Sequence, residues 1–112
     1  MASLLQLVNE QFAKWVEEEN RQLRIIEEAA ASLVAAAKTH PARKPHLKRL
    51  REAQKNLENA SEQCILYTKI ADELNSDSHV IIMGNDKSLI DQLKEVNLSS
   101  ETHTALNKLQ FI

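Results

Sequence analysis

The amino-acid sequence predicts an all-α fold: a long antiparallel helical hairpin, with one or two short C-terminal helices completing a three- to four-helix bundle. Three observations carry this. One Gly and two Pro among 112 residues are too few turn-formers for a hairpin-rich β architecture. Leu50, Ala53, Leu57, Ala60, Cys64, Tyr67, Ala71 and Leu74 recur at alternating spacings of three and four, the a/d period of a packed helix. Pro41 and Pro45 both fall in the short stretch between two long periodic segments, where an αα-hairpin turns.

The first helix is expected over residues 3–38, with Ser3 as N-cap. Its apolar residues recur at Leu5, Val8, Phe12 and Trp15 and resume at Ile26, Ala29, Leu33 and Ala36. Between them Glu17, Glu18, Glu19, Asn20, Arg21 and Gln22 are polar on every side. No Gly or Pro interrupts them, so the helix is expected to continue. A loop follows at 39–45, and the second helix is expected over 45–75, with Pro45 in its first turn. The hairpin register sets Ala29–Ala37 beside Leu50–Leu57, a tight Ala-lined end. Phe12 and Trp15 fall near Tyr67–Leu74, a wider end with room for a third element.

The C-terminal part supplies that element. Asn75, Ser76, Asp77 and Ser78 end or interrupt the second helix. Val80–Met83 fits a helical turn or a strand, and the lack of any strand partner favours the turn, with Gly84 closing it. A helix over 86–97 is expected to present Leu89, Ile90, Leu93 and Val96 on one face. Ser99 or Ser100 then caps a last helix over 100–110. The whole chain, 1–112, is expected to be a single helical domain, since this length supports one modest core.

Composition removes several function classes. Net charge is −2 and the pI is near 6.1, against bulk attraction to nucleic acid or anionic lipid. No stretch approaches the roughly 20 apolar residues of a membrane span. The opening residues lack the basic, then apolar, character of a secretory signal, and one cysteine, Cys64, suits a reducing compartment. A cytoplasmic location is expected, with a nuclear one also compatible.

Candidate chemistry is sparse. Cys64 sits on the apolar seam, where a cysteine is usually structural and inert. His40, His46, His79 and His103 form no His-x-x-x-His pair, so no metal site is expected. Glu17–Glu19, Glu27 and Glu28 lack the Glu-x-x-His partners of a carboxylate-bridged bundle. Residues 80–86 contain one glycine where a phosphate-cradling loop needs several. No catalytic residue and no cofactor is expected.

The remaining signal is charge. Lys38, Arg43, Lys44, Lys48, Arg49, Arg51 and Lys55 lie within eighteen positions, opposed only by Glu52. Cations in the first turns of a helix oppose its dipole, so stability alone would not place them there; the plain alternative is a solvated face, partly neutralised by Glu27 and Glu28 on the facing helix. The chain therefore reads as a non-enzymatic protein-interaction module (an adaptor, assembly subunit or small regulator), with self-association expected. The alternative is binding to nucleic acid or an anionic surface through 38–55. A helix-turn-helix reading of 87–109 fails because the recognition helix would offer only Lys108 against Glu101.

Overall fold

The computed structural model describes residues 4–36, 40, 41, 43–76, 89–96 and 98–112. Every regular element among them is helical: α1 (Leu4–Ala35), α2 (Arg43–Ser76), α3 (Leu89–Glu95), α4 (Ser100–Ala105) and a 3-10 turn at Leu106–Lys108. α1 and α2 pack against each other as a hairpin, with the short helices C-terminal to it. The expected Ser3 cap, the end of the first helix at 37 and 38, and residues 77–88 with the Gly84 turn lie outside the described residues.

α1 runs unbroken through the polar stretch, and its buried seam explains why. Leu4, Val8, Gln11, Trp15, Gln22 and Ala29 are buried, and Glu19, Ile26 and Leu33, half-buried, continue the same spacing of three and four. The seam therefore passes through the polar residues. Gln22 donates to Glu18 Oε1 at 2.7 Å, and Glu18 also holds Arg21 at 2.9 Å. Glu19 accepts from Ser61 Oγ at 2.8 Å. The sequence pattern favours Leu5 and Phe12 as core; the structure leaves them half-buried and buries Leu4 and Gln11. A periodicity read from apolar residues alone cannot place a seam that contains glutamine.

α2 starts at Arg43, two residues before the expected Pro45. The Arg43 N–H closes a turn on the His40 carbonyl at 3.0 Å. Pro45 then falls in the first turn, where a missing N–H forfeits no intrahelical bond.

The chain divides into two compact units, one formed by Met1–Trp15 with Gln63–Ile112 and the other by Val16–Glu62. They differ in how they are filled. The first buries Leu4, Val8, Trp15, Cys64, Tyr67, Ile70, Leu74, Leu93, Val96, Leu98, Leu106 and Leu109, a core of large side chains. Among its described residues the second buries only Ala29, Ala53, Ala60 and Gln22, while Ile26, Leu33, Leu50 and Leu57 stay half-buried. The predicted contrast between an Ala-lined part and an aromatic part is thus present as a contrast between the units.

In the first unit Ser99 is the N-cap of α4, accepting from the Thr102 N–H at 3.2 Å. Glu73 of α2 accepts the Ser99 N–H at 3.1 Å, and Lys69 pairs with Glu101 at 2.7 Å, tying α4 to α2. The last helix, expected to reach 110, instead tightens to a 3-10 turn and stops at Lys108. Leu109 is extended, with φ −66° and ψ 136°. The physical reason is the set of side chains that take up the backbone beyond it.

Candidate functional site

The cationic residues of the second unit do not form one cluster. Lys38 lies outside the described residues. Arg43 is half-buried and its Nη1 donates to the Leu33 carbonyl at 3.0 Å. That carbonyl belongs to the last turn of α1, so Arg43 acts as a C-terminal cap across the loop. Lys44, Lys48, Arg51 and Lys55 are exposed and follow each other by four, three and four residues. This puts them on one stripe of α2 about 16 Å long, at ~1.5 Å per residue, on the side away from buried Ala53 and Ala60. Arg49, also exposed, sits about 140° around the helix from Lys44, at ~100° per residue.

A shallow cleft of about 370 Å³ is lined by Lys44, Leu47, Lys48, Arg51 and Glu52. The lining combines three cations with one carboxylate and one leucine. Glu52, in the lining, matches the single acidic residue the sequence places in the basic run.

The same unit presents an apolar flank. On α1, Val16, Leu23 and Ala30 are seven apart and Val34 follows four later, placing all four along one side of the helix. Leu23 is 44% and Val34 88% exposed. On α2, Leu47, Leu50, Leu57 and Ser61 share one flank, and the three leucines are half-buried. The Ser61–Glu19 bond pins that flank of α2 to the Val16–Leu23–Ala30 side of α1. This side of the two-helix unit is therefore mixed: its valines and leucines are partly accessible, interleaved with exposed Asn20 and Glu27 on α1 and Gln54 on α2.

The first unit holds a site that the sequence reading missed. Four side chains, each more than nine-tenths buried, grip the extended C-terminal backbone. Gln63 Nε2 donates to the Lys108 carbonyl at 2.9 Å, and Gln63 Oε1 accepts the Gln110 N–H at 2.8 Å. Gln11 repeats the pattern two residues on: its Nε2 donates to the Ile112 carbonyl at 2.8 Å and its Oε1 accepts the Ile112 N–H at 2.9 Å. Trp15 Nε1 and Tyr67 Oη both donate to the Gln110 carbonyl, at 3.1 and 2.8 Å. Lys14 Nζ adds a contact to the Ile112 carbonyl at 3.2 Å. Each glutamine amide thus pairs donor and acceptor as a neighbouring strand would. The heptad spacing would have found Trp15 and Tyr67 as core but not their polar function. Gln63 belongs to a second buried stripe with Tyr67, Ile70 and Leu74, at spacings of four, three and four.

Burial raises the Tyr67 hydroxyl to about 12, so it is a permanent donor at ordinary pH. Glu73 shows opposing effects: desolvation pushes its pKa up, but hydrogen bonds from Thr102 and Ser99 and the charge of Lys69 leave it below the ordinary carboxylate range. Glu18 is also lowered, chiefly by its hydrogen bond from Arg21.

Cys64 is buried, 8% exposed, on the α2 seam. His40 is exposed and His46 half-buried. His103 Nε2 lies 3.1 Å from the Val96 carbonyl, an acceptor, so that nitrogen carries the proton. Among the described residues no three His, Cys, Asp or Glu come together as metal ligands, and no helix is long and apolar enough to cross a membrane. No protein-family model matches the chain, and neither curated proteins nor solved structures yield a match.

Proposed function

We propose that this chain is a non-enzymatic helical interaction module that docks a partner helix on the apolar flank of the Val16–Glu62 unit. The observation that carries this reading is the poverty of that unit's own core. Two helices burying three alanines and one glutamine gain little from burial by themselves. At about 25 cal/mol per Å² of apolar area, a third helix over Leu23, Val34, Leu47, Leu50 and Leu57 would recover stabilisation now lost to water. The cationic stripe of α2 favours acidic residues beside the partner's apolar face.

The test is affinity purification with crosslinking mass spectrometry, comparing the wild-type chain with a Leu23→Glu/Val34→Glu variant. Both positions are exposed, so folding should be unaffected. A partner recovered in near-stoichiometric amount by wild type, crosslinked to α1 or α2 of this unit and lost in the variant, is expected. Identical recovery from both chains would refute the docking surface.

A second reading rests on the stripe of Lys44, Lys48, Arg51 and Lys55: association with nucleic acid or another anionic surface. It requires binding that weakens steeply with salt and is lost on neutralising Lys48, Arg51 and Lys55. No binding at low salt would end it.

A further inference from the structure

We propose that the cradle of Gln11, Trp15, Gln63 and Tyr67 is a receptor for an extended polypeptide segment, held in cis by residues 109–112 and able to accept a partner's segment of the same chemistry. What the cradle recognises is backbone. Both amide groups of Gln11 and Gln63, the Trp15 indole and the Tyr67 hydroxyl are directed at N–H and C=O groups of residues 108, 110 and 112. The large side chains beyond Leu109 are left open: Phe111 and Ile112 are 62% and 46% exposed.

That arrangement is an odd choice for anchoring a tail. Burying the Phe111 and Ile112 side chains would stabilise it more, and without the cost of sinking two primary amides into a core. Instead Phe111 and Ile112 are largely open to water, Leu109 is the one buried side chain of residues 109–112, and the amides face inward. The same geometry is how an extended ligand is read through its main chain, with specificity left to alternate side-chain pockets.

The ligand's chemistry follows from the occupant. Position 109 must be a large aliphatic residue, because Leu109 is 7% exposed. Positions 110 and 112 must not be proline, because their N–H groups donate to Gln63 and Gln11. Lys14 at the far carbonyl favours an acceptor or negative group there. The side chains at 111 and 112 are largely open to water. A partner segment with these features makes the same bonds, so exchange costs only the loss of the resident tail.

The test uses a fluorescein-labelled peptide of the sequence of residues 106–112, titrated by anisotropy against the full chain and a Gln110→Pro variant. Leu109 already has the extended conformation that a following proline requires, so the substitution deletes the N–H bond to Gln63 and frees the tail. The peptide is expected to bind the variant at least tenfold more tightly than wild type, whose own tail competes. A peptide with proline in place of its glutamine should bind neither. No saturable binding to a variant that keeps wild-type helical content would overturn the proposal.

Should Gln110→Pro fail to fold, hydrogen exchange on the wild-type chain decides. Exchange of the Gln110 and Ile112 amides well ahead of those of Tyr67 and Ile70 supports a tail that leaves alone; exchange only on global unfolding overturns it. A wild-type dimer dissociated by the peptide would assign the cradle to a second copy's tail, overturning the proposal of a separate partner.

Discussion

Replacing Gln63 by leucine is the sharpest probe of how the C-terminal tail is held. Gln63 is 1% exposed and makes two bonds, to the Lys108 carbonyl and from the Gln110 N–H. Leucine has similar bulk, so little cavity or overpacking arises and the change isolates the amide. Each bond contributes about 1 kcal/mol net, and each backbone group left buried without a partner costs a further ~1–3 kcal/mol. The tail can lift to rehydrate Lys108 and Gln110, which caps the cost, and the added apolar burial returns about 1 kcal/mol. The expected net loss is about 2–3 kcal/mol.

Urea denaturation followed by circular dichroism would measure it, with a fall in Tm of roughly 8–12 °C at ~4 °C per kcal/mol as a second readout. Gln11→Leu should cost less, about 1 kcal/mol, because the Ile112 groups it frees sit on a residue already 46% exposed and reach water easily. Exposed Gln54→Leu should change stability by less than ~0.5 kcal/mol. A Gln63→Leu chain as stable as the Gln54→Leu control, or a Gln11→Leu chain less stable than the Gln63→Leu chain, would refute the reasoning.

Three further outcomes follow from the same structure. The Tyr67 hydroxyl, at about 12 in the folded chain against about 10 unfolded, binds its proton more tightly when folded. Its contribution is therefore complete below pH 10 and lost between pH 10 and 12, on the order of 2–3 kcal/mol; the difference between wild-type and Tyr67→Phe urea midpoints across that range measures it, and a constant difference would contradict it. The Glu73 carboxylate, held below its ordinary range, stabilises above the unfolded carboxylate pKa and loses that effect as pH falls through the lowered value. Wild type should accordingly lose stability in acid faster than Glu73→Gln in parallel melts, and superimposable pH profiles would count against it. Ala60→Leu, at a fully buried position, should cost about 1–3 kcal/mol by overpacking, read from the urea midpoint; a neutral result would mean the two helices are not in close contact there.

Much of the fold is legible in the sequence because it is local or periodic. Of the α2 seam Leu50, Ala53, Leu57, Ala60, Cys64, Tyr67, Ala71 and Leu74, five residues are buried and Leu50, Leu57 and Ala71 are half-buried, since a three-four spacing of apolar residues admits one face only. A serine cap for α4 followed from hydroxyl and position, with Ser99 and Ser100 both open, and the structure selects Ser99. The basic run was visible too, yet its division was not: Arg43 turned out to cap the Leu33 carbonyl, a bond set by where the loop returns the chain, and Arg49 left the stripe by helical rotation. The cradle was invisible because glutamine reads as surface.

By itself, then, the sequence determined that two long helices form, where they turn back, and that the apolar residues of one seam face inward. The tertiary structure alone decided that Gln11 and Gln63 belong to the interior and that the chain leaves the helix after Lys108. The physical reason is that a primary amide is stable in a core only when both its donor and its acceptor are met. The groups that meet those of Gln11 lie 101 positions along the chain, beyond the reach of any local pattern.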